Sequence, residues 1–375
     1  MHYFDNAATT PLNSEVKKYI TELLDDFGNP SSNYSIGLKN KNLIEEARTI
    51  VKYFINAKYE EEIIFTSSGS ASNSLAIAGW DGCYNIHLYS PTAHKSIIKA
   101  NEYMGGIKLK VDHEGFLDLN YLDDILNACK KKDYRCLVSF EYANSEIGTI
   151  NRVKEIIELA HRYNGIVLLD CTASIPFIPV DVQELNADMI SFSGHKLGAL
   201  KGVGVLYKNI NVKLKPLVHG SQEQGLFGGT ENVIGIASLK KAIELYNYRN
   251  ITNSLSAYLY FSLTKVLILL DVECMLLGAS FDNRLPNNLY LLLKGINGKQ
   301  LVSMLDRLND VQISTGSACN NYVSQPSHTL IAIGLNDEYL DDCIRITLSG
   351  KESIDELNYL VDSIEECVQI MKENP

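Results

Sequence analysis

The sequence predicts an α/β protein with a mainly parallel sheet covered by helices on both faces, followed by a smaller α+β unit. Three observations carry this. From Glu62 to Lys208, short apolar runs alternate with amphipathic stretches, the pattern of parallel strands joined by crossover helices. Gly165 to Leu169 is a continuous apolar run, as a strand buried on both faces requires. Beyond Val233 the chain reads mainly helical, with separated strands at Asn288 to Leu293 and Cys343 to Leu348. The 375 residues, 46% of them hydrophobic, suffice for one large and one small domain. The expected division is 14–248 for the large domain, with 1–13 returning to join 249–375 in the small one.

Taken in order, Glu62 to Thr66 reads as a strand, and Ser67 to Asn73 opens a helix that continues through Leu75, Ala76 and Ile77. Asn85 to Tyr89 is a second apolar strand, ending in the loop Pro91-Thr92-Ala93-His94-Lys95. Arg152 to Tyr163 is amphipathic and leads into the buried strand that ends at Asp170. A further strand closes on Ser191-Phe192-Ser193-Gly194-His195-Lys196, ahead of the glycine-rich stretch Gly198 to Gly204. Val233 to Tyr248, Thr252 to Leu270 and Lys299 to Arg307 read as helices. Repeats and low-complexity tracts are absent from the sequence.

Lys196 is the residue with the clearest chemistry. A lysine at the polar end of a buried strand, preceded by hydroxyl and imidazole donors, suits the attachment of an aldehyde cofactor as a Schiff base, and so pyridoxal phosphate. Taken alone, the string serves equally as a solvated lysine after a capped turn. Asp170 strengthens the first reading, because a carboxylate opposite the pyridine nitrogen keeps that ring protonated, and ligands of open α/β sheets sit at the carboxyl edge. Gly69 and Ser70 begin a helix and offer backbone N–H groups to a phosphate, with Ser193 and His195 as further donors. Ser-rich caps also start many helices that bind nothing. His94 supplies a ring to cover the cofactor's face, although a loop histidine on its own is more often simply exposed.

The stretch Ser314-Thr315-Gly316-Ser317-Ala318-Cys319-Asn320-Asn321 is small and polar, which makes Cys319 the reactive thiol candidate. Cys83, Cys129, Cys136, Cys171, Cys274, Cys343 and Cys367 lie mostly in apolar segments and read as core, with Cys171 set apart by directly following Asp170. No Cys-x-x-Cys pair occurs, so neither a zinc site nor a dithiol redox motif is indicated.

Beyond these, Asp5-Asn6-Ala7-Ala8-Thr9-Thr10-Pro11, Phe27-Gly28-Asn29-Pro30-Ser31-Ser32, Asn144-Ser145-Glu146-Ile147-Gly148, the Ser193 to Lys196 string, Gly229-Thr230-Glu231-Asn232 and the Cys319 segment follow one another in unbroken order. Together they make the chain resemble the NifS/IscS-type cysteine desulfurases of the class V aminotransferases. The resemblance implies fold type I, with a mainly parallel seven-stranded sheet in the large domain and a small domain carrying the cysteine. It also implies a homodimer and the conversion of L-cysteine to L-alanine, with the sulfur held as a Cys319 persulfide and passed to an acceptor protein. By the same resemblance Lys196 is the Schiff-base lysine, Asp170 the pyridine partner and His94 the stacked ring and proton carrier. Asn144 partners the phenolic oxygen or the substrate, Arg345 the substrate carboxylate, and Thr230 the phosphate of the other subunit's cofactor.

The chain departs from the family's pattern in places. Ala71 replaces a glutamate beside the phosphate helix. Ala173 replaces a glutamine that helps to hold the phenolic oxygen. Gln224 and Phe227 replace two arginines, and Tyr34 stands where histidine is common. These changes point to a specialised member, serving tRNA thiolation, DNA phosphorothioation or iron–sulfur assembly. The alternatives are another pyridoxal enzyme, such as a selenocysteine lyase or carbon–sulfur lyase, and a non-catalytic binding protein of the same fold.

A net charge of -11 argues against direct binding of nucleic acid, whose affinity rests on cationic contacts to phosphate. Met1-His2-Tyr3-Phe4-Asp5 lacks the basic and apolar regions of a signal peptide, the densest apolar run at Val266 to Leu270 is too short for a membrane span, and unpaired cysteines suit a reducing compartment. The expected location is therefore the cytoplasm.

Overall fold

A computed structural model describes residues 1–80, 85–247, 253–316 and 326–373. Cys83 and Cys319 lie outside the described residues. Strands are numbered in chain order: β1 His2–Tyr3, β2 Ile63–Thr66, β3 Asn85–Tyr89, β4 Ile107–Lys108, β5 Arg135–Glu141, β6 Ile166–Asp170, β7 Met189–Ser193, β8 Gly204–Lys208, β9 Cys274–Leu276, β10 Asn288–Leu293, β11 Val311–Gln312 and β12 Cys343–Thr347. Among the described residues a seven-stranded sheet has the order β2-β8-β7-β6-β5-β3-β4. Its pairs from β7 to β4 are parallel, while β8 runs antiparallel to both β2 and β7.

The sheet is apolar on both faces because its strands alternate between two cores. Val138, Phe140, Val167, Leu169, Ile190 and Phe192 pack on one side with Ile44, Val51, Ile156 and Leu239. Leu137, Ile166, Leu168 and Met189 pack on the other with Leu75, Ile77 and Ile97. A strand that buries both faces shows no polar period, which is why the run ending at Asp170 reads as it does.

The later part of the chain forms an antiparallel sheet β12-β10-β9, and the N-terminal strand β1 pairs in parallel with β11. Leu289, Leu291 and Leu293 of β10 bury against Leu259, Leu263 and Leu267 of the helix Ser254–Leu269 and Leu357, Leu360 and Ile364 of the helix Ile354–Glu373. One expected helix is shorter than its hydrophobic pattern: Val233–Glu244 stops before Tyr246, whose hydroxyl turns to the Pro176 carbonyl. Among the described residues no helix is long and apolar enough to cross a membrane.

Candidate active site

The site begins as a polar row at the carboxyl edge of the large sheet. Glu141, Asp170 and Ser191 are paired in register across β5, β6 and β7. Each follows apolar residues of the same face, Leu137, Leu168 and Met189, so the row continues the face that carries the helices Gly69–Gly79 and Lys95–Tyr103. Above this row lies a cavity of about 360 Å³. Its walls include Gly69, Ser70, His94, Asn144, Asp170, Ser193, His195, Lys196 and Arg345, so most of the residues singled out by sequence meet in one place.

Asp170 is 5% exposed and held by two donors: Asn73 Nδ2 reaches Oδ2 at 2.8 Å, and the Thr172 N–H reaches Oδ1 at 2.9 Å. Asn73 also donates to Ser96 Oγ at 3.0 Å and accepts from the Ser191 hydroxyl. A carboxylate that only accepts is thus presented at the cavity floor with its orientation fixed.

His94 caps the helix Lys95–Tyr103. Its Nδ1 accepts from the Ser96 N–H at 3.2 Å and lies 2.7 Å from Ser96 Oγ. The bonding therefore assigns the proton of the neutral ring to Nε2. The ring faces the open cavity and is walled by protein elsewhere; that burial lowers its pKa below the ordinary value, with Asp170 opposing. A chain of contacts from His94 through Ser96 and Asn73 ends on Asp170.

Lys196 follows β7 in a short 3-10 turn, Gly194–Lys196. Its Nζ donates to the carbonyls of Ala7 and, at 2.9 Å, Ala8. The Asp5 to Pro11 motif therefore packs over the lysine. Thr9 Oγ1 lies 3.0 Å from His195 Nδ1, and the Thr10 hydroxyl donates to the His195 carbonyl at 2.7 Å. Burial, then the charges of Lys196 and Lys201, lower the His195 pKa to about 4. A histidine kept neutral in the fold contributes stability above its unfolded value, and that contribution fades as pH falls from about 6.5 toward about 4. His195→Gln should accordingly flatten the acid limb of thermal stability in that window, read as Tm against pH; an unchanged limb would contradict the assignment.

The helix Gly69–Gly79 points its N-terminus at the same cavity, with Ser68 capping the Ala71 N–H at 3.1 Å. A Cβ at Gly69 would lie 3.2 Å from Thr172 Oγ1 and 3.4 Å from Ser193 Cβ. A Cβ at Gly204 would lie 2.2 Å from the Ser68 carbonyl carbon, so only glycine lets β8 approach this turn. The outcome is a cradle of backbone N–H groups flanked by hydroxyls, suited to an anion.

Arg345, on β12, is 4% exposed. It donates to Asp5 Oδ1 at 2.7 Å and to the Ser145 carbonyl at 3.1 Å, while its Nε has no hydrogen-bond partner among the described residues. Asn144 is fully engaged: its amide donates to the Thr92 carbonyl at 2.7 Å and Glu141 Oε1 at 3.3 Å, and its oxygen accepts from the N–H groups of Glu146 and Ile147. Thr230 is exposed and does not line this chain's cavity.

Gly316, Ser327 and His328, on either side of the segment bearing Cys319, do line it. Gly316 packs on the Tyr290 ring, whose hydroxyl holds the Thr315 carbonyl at 2.9 Å, and His328 Nε2 donates to the Ala93 carbonyl at 3.0 Å. The described cysteines are of a different kind. Cys129, Cys136, Cys171, Cys343 and Cys367 are buried. Burial raises the Cys343 thiol pKa to about 12 and those of Cys274 and Cys367 to about 11, and holds Cys171 well above the ordinary value, so none of these is poised to react as a thiolate.

Sequence reasoning missed Asn73, Ser96, His328 and Glu141 as lining or supporting residues. Glu141 carried the signal that identified Asp170, an acid closing a buried apolar strand. The departures at 224 and 227 also gain a physical account. Glu223 and Gln224 take left-handed backbone angles, with φ of 46° and 59°, and Leu226 and Phe227 pack into the helix-side core in place of presenting charge.

Among proteins of known kind, the family model for aminotransferase class V matches residues 2–360. The chain is 36% identical to the cysteine desulfurase IscS of Dictyoglomus turgidum, with 99% of this chain and 95% of that protein aligned. It is 34% identical to the cysteine desulfurase IscS of Methanosarcina thermophila, over 99% of this chain and 92% of that one. Two solved structures extend the likeness. The NifS-like protein of Rickettsia africae superposes with a TM-score of 0.85 at 28% identity, covering 98% of this chain and 99% of its own. SspA in complex with cysteine superposes with a TM-score of 0.79 at 27% identity, covering 94% and 100%.

Proposed function

The chain belongs to the class V aminotransferases and, within them, to the pyridoxal phosphate-dependent cysteine desulfurases, and on that premise we propose that L-cysteine binds in this cavity through Arg345 and gives its sulfur to Cys319. The observation that carries the reading is the convergence of Lys196, Asp170, His94 and Arg345 on one cavity whose far wall is a helix N-terminus.

The residues fit pyridoxal phosphate. Gly69, Ser70, Ser193 and His195 would hold its phosphate at the cradle that a Cβ at Gly69 would crowd, and the buried, acceptor-only Asp170 would meet its pyridine nitrogen. Bound there, the cofactor supplies an electron sink for bonds broken at the substrate's α-carbon.

The remaining work falls to this chain's side chains. Arg345 binds the substrate carboxylate with a planar pair of donors, Asp5 being the partner that it must share or release. Lys196 holds and returns the α-proton from a position steadied by the Ala7 and Ala8 carbonyls. His94, neutral with its proton on Nε2, exchanges a proton with the substrate thiol. Cys319 as thiolate attacks the substrate sulfur: an S–S bond forms as the C–S bond breaks, and the electrons of that bond stay with the three-carbon fragment, which takes up a proton and leaves as alanine. The balance is enzyme thiol plus cysteine giving enzyme persulfide plus alanine. An acceptor protein then takes the terminal sulfur. The same proposal includes a homodimer, in which Thr230, exposed in this chain, serves the partner's site.

The test is intact mass with parallel alanine detection after exposure to L-cysteine. The wild type should gain one sulfur and release alanine. Cys319→Ser should lose the adduct while keeping the visible band of the bound cofactor; a sulfur adduct that persists in the variant and still transfers would overturn the role of Cys319.

A further inference from the structure

Tyr290 is fully buried, does not line the cavity and takes no part in the chemistry above. Its place is set by register. On β10 it pairs with Arg345 of β12, so the two side chains leave the same face of the sheet. Ser314 is bridged to Arg345 on the other side of β12: the Ser314 N–H donates to the Arg345 carbonyl at 3.1 Å, and the Arg345 N–H to the Ser314 carbonyl at 2.5 Å. One row across the small sheet therefore carries both the arginine and the point from which the chain departs toward Cys319.

The Tyr290 hydroxyl secures that departure by donating to the Thr315 carbonyl at 2.9 Å. Burial holds its pKa well above the ordinary value, so the phenol keeps the proton that it donates. Gly316 has a φ of 85°, and a Cβ there would lie 2.5 Å from the same hydroxyl oxygen, so only glycine lets the chain close on the phenol. The Gly316 N–H donates back to Ser314 Oγ at 3.1 Å. The outcome is a fixed foot at the cavity wall, which Gly316 lines. Cys319 follows Gly316 by three residues, a length of chain that spans at most about 10 Å. The other foot is Ser327, whose hydroxyl donates to Glu146; it comes eight residues after Cys319, a length that can span roughly 28 Å. The near foot therefore sets where the thiol can go.

We propose that Tyr290 is a positioning residue for persulfide formation: by holding Thr315 and Gly316 beside Arg345, its hydroxyl sets the approach of the Cys319 thiol to the sulfur of a cysteine whose carboxylate Arg345 binds. The inference rests on the desulfurase reading above and names what fixes the offset between the two ends of that reaction. Cysteine is a short substrate, with its carboxylate and its sulfur both close to the α-carbon. An error in the position of the foot relative to Arg345 therefore passes directly into the distance between the two sulfur atoms, and displacement demands near-contact geometry. Tyr290 touches neither substrate nor cofactor, and it acts through the chain that carries the nucleophile.

The experiment compares wild type loaded with pyridoxal phosphate with Tyr290→Phe, which removes the hydroxyl and keeps the ring. The visible band reports the cofactor, its change on addition of L-cysteine reports substrate binding, and quenched intact mass gives the single-turnover rate at which the sulfur adduct appears. Phe should leave the band and the cysteine affinity within about twofold of wild type and slow the adduct about three- to tenfold, the population shift for one hydrogen bond of ordinary strength. If Phe does not fold, Tyr290→Leu makes the same comparison. An adduct rate equal to that of wild type would overturn the inference. So would a parallel loss of band, cysteine affinity and adduct, the mark of a residue that only holds the fold together. A wild type that binds cysteine and forms no adduct would instead overturn the role of Cys319, and this inference with it.

Discussion

Lys196→Ala is expected to abolish the visible band of the loaded protein and with it alanine formation. Two losses combine. The amine that would anchor the cofactor's aldehyde is gone, and so is the base that holds the α-proton; the second alone is on the order of 10² to 10⁴ in rate. The fold should survive, because the hydrogen bonds of Lys196 to the carbonyls of Ala7 and Ala8 lie at the cavity rim and are worth about 1 kcal/mol each. The decisive measurements are the absorbance spectrum, reductive trapping of the cofactor on the protein, and the Tm of the variant beside wild type. A variant that keeps a reducible, covalently held cofactor would place the attachment on another lysine.

Arg48→Met is expected to be the most damaging change outside the cavity. Arg48 and Glu223 form a bidentate pair at 2.9 Å for both bonds, with side chains 10% and 3% exposed. The same glutamate accepts the Phe65 N–H at 2.8 Å, and Arg48 also donates to the Ile63 carbonyl at 2.6 Å. The pair ties β2 to the turn where Glu223 and Gln224 adopt left-handed angles, a conformation that the rest of the structure must hold in place. Removing one partner strands the other charge in a low-dielectric interior, at a cost of about 3–5 kcal/mol. For a chain of this size that corresponds to a fall in Tm of roughly 5 °C. Replacing both, as Arg48→Met with Glu223→Leu, should recover much of the loss. A single variant within a degree of wild type would mean that water reaches the pair.

The parts of the site that were legible in the sequence share one property: each was written in a local pattern. Asp170 closes an apolar run, Lys196 follows one, and Gly69 and Ser70 open a helix, so their place at the carboxyl edge of the sheet follows from the chain direction of parallel strands. His94 was legible for the same reason. Asn73, Ser96 and Ser191 were not, because their role consists of a hydrogen-bond chain between three segments far apart in sequence. Asn144 shows what residue type alone leaves out: its amide N–H groups are ready donors on paper, and in the fold the Thr92 carbonyl and Glu141 Oε1 accept from them.

What the sequence determined by itself is the alternation of buried strands and helices, and therefore an α/β sheet with chemistry at its carboxyl edge, since hydrophobic period and cap residues act over a few neighbours. The tertiary structure alone decided which polar groups share a face and which of them are satisfied. Glu141 and Asp170 end similar strands, yet one receives two donors for its two oxygens and the other leaves an oxygen bare. That difference is set by register between strands and by side chains arriving from Asn73, Thr92 and Asn144, which come from segments far apart in the chain and so leave no local pattern in the sequence.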